Sequence, residues 1–110
     1  MVYVDLQDFY NKAAACKRLS REEEINCAKR MKAGDEEARE QLVQSYLPMI
    51  AGHIKHAKGD LQSLGCALYC AVELEKAIDR FDFLQDSEPF LHRISWILRQ
   101  GTAKYLTRQA

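Results

Sequence analysis

The strongest constraint on this chain is its punctuation. Apolar residues recur at three- and four-residue spacing between helix-capping signals, and no window alternates apolar with polar residues for long enough to make a strand. Ser20-Arg21-Glu22-Glu23 is a capping box: the Ser hydroxyl accepts from the amide three residues on, and the Glu carboxylate reaches back. The helix it opens carries Ile25, Ala28 and Met31 on one stripe and stops at Gly34. Asp35 caps the next, with Glu36 and Glu37 placed against the positive end of its dipole. That helix continues through Ala38, Leu42, Tyr46, Met49, Ile50 and Ile54 to Gly59. Pro48 removes an amide and crowds the preceding turn, which predicts a kink or restart over 45–47. Asp60 or Ser63 caps a helix reaching about Phe83, whose stripe is Leu64, Leu68, Ala71, Leu74, Ile78 and Phe81. Asp86 or Ser87 caps the last helix, with Pro89 in its first turn and Leu91, Ile94, Ile97, Leu98 and Tyr105 as its apolar positions. Residues 4–15 are predicted helical too. The sum is an all-α compact bundle of about five helices joined by short turns.

At 110 residues, 47% of them apolar, the chain can bury a core as one compact unit and is not expected to be disordered. Sixteen Lys plus Arg balance sixteen Asp plus Glu, so no global field draws it to nucleic acid or membrane. The longest stretch without Asp, Glu, Lys or Arg, 41–54, is broken by Gln44, Ser45, Pro48 and His53 and is too short to span a bilayer. The opening MVYVDLQDFY lacks the basic and apolar regions of a secretory leader, so the four cysteines are expected as reduced thiols in a cytoplasm.

The zero net charge hides a partition. Residues 60–88 hold seven acidic and two basic side chains, whereas 89–110 hold four basic (Arg93, Arg99, Lys104, Arg108) and no acidic ones. A final helix collects cations at its negative end for dipole reasons alone. The sharper reading is a phosphate-facing helix, with Trp96 as a base-stacking candidate.

Three strings carry a resemblance: Lys76-Ala77-Ile78-Asp79-Arg80-Phe81-Asp82-Phe83, then Phe90-Leu91-His92-Arg93-Ile94-Ser95-Trp96-Ile97-Leu98-Arg99-Gln100, and upstream Leu19-Ser20-Arg21-Glu22-Glu23-Glu24-Ile25. Together with Asp5–Tyr10, Ala28–Arg39 and Tyr46-Leu47-Pro48-Met49-Ile50, in colinear order, they resemble regions 1.2 and 2 (domain 2) of the sigma-70 family of transcription initiation factors. The resemblance implies a region 1.2-like segment over 1–34 and a region 2-like core over 35–110. It implies a protein that docks on RNA polymerase core and contacts the non-template strand of the −10 promoter element, with bases flipped onto aromatic side chains. No catalysis, cofactor, metal or membrane is implied. Carried over by position, Trp96 matches a wedge at the edge of the melted bubble. Gln100 matches an amide that reads adenine. Arg99 and Lys104 match basic positions near the DNA backbone, and Phe83 and Phe90 match aromatics flanking the preceding loop. Arg93 stands where the family has a base-enclosing Tyr and could stack through its guanidinium plane.

The departures are specific. The second Trp of the family pair is Ile97, which can wedge but stacks poorly. The loop 83–89 is acidic where the family is often basic, so its carboxylates should repel phosphate and weaken single-strand capture. The polymerase-docking string D-L-I-Q-E-G-N falls on Gly65-Cys66-Ala67-Leu68-Tyr69-Cys70-Ala71, so docking would use apolar and sulfur surface, with Leu68, Tyr69 and Glu73 as candidates. The later family domains are missing, which leaves three versions open: a fragment of a longer factor, half of a split factor needing a second sigma-like subunit, or a diverged relative. The alternative function is a protein-interaction or regulatory module that keeps the fold without promoter reading and meets a partner such as an anti-sigma factor or a second copy. A Cys₂His₂ zinc site from His53, His56, Cys66 and Cys70 is conceivable across a helical hairpin, but the spacing fits no common finger and Cys is often a plain buried hydrophobe. The carboxylates follow caps and solvated faces rather than a catalytic pair.

Overall fold

The computed structural model describes residues 2–85 and 88–109, the side chain of residue 109 excepted. Among them are six α-helices, two 3₁₀ turns and no strand. The helices are α1 (Leu6–Ala14), α2 (Arg21–Lys32), α3 (Glu36–Ser45), α4 (Leu47–Lys55), α5 (Leu64–Arg80) and α6 (Ile94–Gln109). The all-α bundle expected from the stripes is the fold.

Local chemistry sets most of the helix ends. Ser20 and Glu23 exchange both bonds of the capping box that opens α2. Gly34, at φ +95°, takes the left-handed conformation that releases the chain from α2, and the Asp35 side chain then accepts from the amides of Glu37 and Ala38. The predicted interruption near Pro48 is a clean restart: α3 ends at Ser45, Tyr46 is the junction, and Pro48 sits in the first turn of α4, where its missing amide costs nothing. Three boundaries differ from expectation, the first being that α5 ends at Arg80, with Phe81 already extended, rather than near Phe83. α4 stops at Lys55 and Gly59 instead opens the 3₁₀ turn Gly59–Leu61, so that Ser63 is the cap of α5. Pro89 does not enter the last helix; it precedes the 3₁₀ turn Phe90–Arg93, and α6 starts only at Ile94. The predicted caps Asp86 and Ser87 lie outside the described residues.

α5 and α6 form the principal helix pair, α2 packs on α3, and α1 packs on α4. The core runs between them through Phe9, Leu42, Ile50, Ile54, Leu74 and Ile78, all fully buried. One buried polar pair ties α2 to the junction of α3 and α4: the Tyr46 hydroxyl donates to the Glu24 carboxylate, and Arg18 lies over the Tyr46 ring at 5.5 Å. Burial, and then the Glu24 carboxylate, push the Tyr46 hydroxyl well above its ordinary pKa, so it stays protonated and donating. On the outer face Arg39 forks onto Asp79 through Nε and Nη2 at 2.7 and 2.9 Å, joining α3 to α5.

Two glycines fix the α5–α6 pair. A Cβ on Gly101 would stand 2.6 Å from the Cα and 2.7 Å from the Sγ of Cys70, so the two backbones pass at a distance only glycine permits. A Cβ on Gly65 would meet the Tyr105 ring at 2.8 Å.

Candidate nucleic-acid interface

Where α5 ends, its last turn delivers Phe81 and Phe83 into an aromatic knot. Phe81 stacks edge-on to Phe83 at 4.8 Å and to Phe90 at 5.2 Å, and Phe90 meets Tyr46 at 5.0 Å between centroids. Asp82 reverses the chain between the two Phe residues by accepting from the amides of Leu84 and Gln85. The knot holds the 3₁₀ turn Phe90–Arg93 against the bundle and thereby sets the angle at which α6 departs.

On α6 the residues divide by helical position. Ile97 and Gly101 face α5 and are buried, whereas Trp96 is 59% exposed, the most exposed aromatic residue in the protein. Arg93 and Arg99 are exposed and Gln100 is half-buried; all three lie within one turn of Trp96 at i±3 and i+4. The Arg93 guanidinium sits over the Phe81 ring at 4.9 Å, a planar cation already held on an aromatic face. A cleft of about 560 Å³ opens between the end of α5 and the start of α6, lined by Phe81, Asp82, His92, Arg93 and Trp96 among others. That volume falls in the range of small-molecule clefts.

Several candidate residues are not where the sequence reading put them. Phe83 and Phe90 are 7% and 1% exposed: they are the floor of the knot and present no ring face to a nucleic acid. Ile97 is 4% exposed, so it is no wedge; its β-branched side chain packs onto α5 instead. Lys104 is two turns beyond Trp96 and pairs with Glu73 on α5 at 2.6 Å, so its charge is already engaged. Glu73 in turn is buried and holds Lys76 as well, at 3.8 Å, which removes it as a contact for a partner. Leu68 is 40% exposed, and Tyr69 is half-buried with its ring edge-on to Tyr105 at 5.8 Å.

His53 hydrogen-bonds Thr102 through Nε2 at 3.1 Å, while the Cys70 thiol donates to the Leu98 carbonyl at 3.8 Å. Among the described residues no group of three His, Cys, Asp or Glu is gathered as metal ligands are. Burial pushes the Cys70 thiol up to about 12, which keeps it protonated and unreactive. No family model, curated protein or solved structure matches this chain. What it can do is therefore argued from the site itself. An exposed indole and a stacked guanidinium lining the cleft, with Arg99 and the Gln100 amide one turn farther along α6, can stack a planar base, neutralise a phosphate and pair with a base edge.

The sequence reading overlooked Gly101, although a glycine in mid-helix costs about 1 kcal/mol against alanine and so signals a packing reason. It also passed over Phe81, the platform under Arg93, as one more residue of an apolar stripe.

Proposed function

We propose that this protein is a sigma-factor-like transcription initiation protein that binds RNA polymerase and receives unpaired bases of the −10 element at the start of α6. The observation that carries the reading is the outward Trp96, beside the cleft and on a helix without a single acidic side chain. In this reading Trp96 stacks on an extruded base, Arg93 covers a second planar surface, Gln100 pairs with a base edge and Arg99 answers the backbone phosphates. The chemistry is physical rather than catalytic. Unstacking a base costs a few kcal/mol, and an aromatic face returns about 1–3 kcal/mol of it. Polymerase supplies the remaining affinity.

Trp96 is the chain's single tryptophan, so its fluorescence reports on the site directly. A forked −10 oligonucleotide with single-stranded non-template bases should quench Trp96 in the presence of RNA polymerase core. Trp96→Ala and Gln100→Ala should weaken strand binding while leaving thermal unfolding unchanged. Equal binding by the wild type and both variants rejects the site.

A second reading, an interaction or regulatory module that kept the fold without promoter reading, is favoured by the burial of Ile97, Phe83 and Phe90, which leaves one outward aromatic at this end of α6. A pull-down separates the two. Recovery of polymerase supports the first, and recovery of a regulator or a second copy alone supports the second.

A further inference from the structure

One group lining the cleft beside Trp96 is ill suited to a DNA strand. Asp82 lies there with Arg80, His92, Arg93 and Trp96. Its Oδ1 accepts from the amides of Leu84 and Gln85 at 3.0 and 3.1 Å, which fixes the carboxylate, and among the described residues Oδ2 accepts no hydrogen bond. An exposed, fixed anion repels every phosphate that nears it, and deoxyribose offers it no 2′-hydroxyl. The remaining polar groups of the cleft are donors. Arg80 uses Nε on the Lys76 carbonyl at 3.2 Å and keeps its terminal amino groups, and His92 is exposed one turn before Trp96.

We infer that this cleft also takes a free purine ribonucleotide, with its base stacked on Trp96, its phosphate held by Arg80 and His92, and its ribose diol donating to Asp82 Oδ2. Three physical points select that ligand. A carboxylate only accepts, and a ribose hydroxyl is a neutral donor that suits it, as in dinucleotide sites where an acidic residue holds the ribose. A purine covers more of an exposed indole than a pyrimidine does, and about 560 Å³ falls within the range of small-molecule clefts. In an RNA strand the 3′-oxygen is esterified, which would bring a phosphate against Asp82; a free nucleotide keeps both hydroxyls and avoids that repulsion. Nucleotide and strand would then exclude one another at Trp96. Neither polymerase nor DNA is needed for this binding, which goes beyond the −10 reading and shares only the cleft with it.

AMP is the probe. Titrated into the full chain without polymerase, it should quench Trp96, and 2′-deoxy-AMP and adenosine should each bind about tenfold more weakly for want of one charge-assisted contact. Asp82→Asn keeps an acceptor for the Leu84 and Gln85 amides, so its melting curve should not move. It should cut the preference for AMP over 2′-deoxy-AMP severalfold, yet bind the −10 fork at least as tightly as the wild type. Arg80→Gln should weaken AMP and leave adenosine unchanged. Absence of quenching at millimolar AMP, equal affinity for AMP and 2′-deoxy-AMP, or a ribose preference undiminished in Asp82→Asn would overturn the inference. So would tighter binding of a short oligoadenylate than of AMP, which would assign the site to an RNA strand. Quenching by the −10 fork with none by AMP removes the nucleotide site alone; quenching by AMP with none by the fork removes the strand reading alone.

Discussion

The two ends of the α5–α6 pair are built on opposite principles. Toward the start of α5 and the end of α6, side chains are removed to let backbones touch: Gly101 lies against Cys70, and Gly65 lies under the Tyr105 ring. At the other end, bulk is added: Phe81, Phe83, Phe90 and Tyr46 wedge into one another, and α6 is reached through a 3₁₀ turn rather than a tight reversal. The close crossing fixes the distance between the helices. The aromatic wedge fixes how they part, and the parting produces the cleft beside Trp96. The difference teaches that the proposed base-binding surface depends on the bulky end, where aromatics inside the knot support an aromatic left outside it.

The largest expected effect is therefore at the wedge. Phe90→Ala should cost about 3–5 kcal/mol, as large-to-small changes at buried aromatics do. Its urea unfolding midpoint should fall accordingly, and strand binding should fall with it because α6 loses its angle of departure. A destabilisation under about 1 kcal/mol would break the claim that the knot sets the helix angle. Gly101→Ala is next. Its Cβ meets Cys70 backbone rather than a flexible side-chain tip, so about 1–3 kcal/mol of overpacking opposes about 1 kcal/mol of gained helix propensity. The net should be a modest loss in thermal stability with strand binding largely preserved. Equal damage to both properties would mean that the two ends do not act separately.

How much of this was legible beforehand follows from the range of the forces involved. Caps and turns are local, so Ser20, Gly34, Asp35 and the restart at Pro48 could be read from neighbouring residues alone. The apolar stripes gave the bundle, because periodicity reports which face seeks cover. What no stripe reports is which of two neighbouring aromatics is covered. Phe83, Phe90 and Trp96 look alike to a hydropathy pattern, and only the packing of α5's last turn against the 3₁₀ turn buries the first two and leaves the third outward. The same holds for Lys104 and Glu73, thirty-one positions apart, whose pairing arises from the antiparallel register of two helices and leaves no trace in spacing.

A smaller effect probes a contact on the outer face of the bundle, between α3 and the last turn of α5. The Arg39 guanidinium, hydrogen-bonded to Asp79, holds that carboxyl below its ordinary range. A depressed folded pKa adds stability that is present above the unfolded Asp value and is lost as pH falls through the folded one. With Asp79 about half exposed, water screens the pair, so its contribution stays under about 1 kcal/mol at neutral pH. Asp79→Asn should lower stability by that small amount near neutrality, and the difference from wild type should vanish at the acid limit of a urea titration series. A difference that persists there would assign the contact to packing instead of charge.

The smallest expected change in stability is the most telling one. Trp96 is 59% exposed, and its neighbour Ile97 makes the contact with α5, so Trp96→Ala should leave the unfolding free energy within about 0.5 kcal/mol. In the free protein the indole should emit as a solvated chromophore and be readily quenched by acrylamide. In the presence of polymerase the same substitution should remove about 1–3 kcal/mol from binding of the single-stranded −10 bases, a loss of roughly five- to 150-fold. That combination, a silent melt with a strong binding defect, separates a side chain placed outward for a ligand from one that supports the wedge, as Phe90 does. A large stability loss in Trp96→Ala would place the indole inside the knot's cooperative unit and erase the distinction between the two ends of the helix pair on which the site depends.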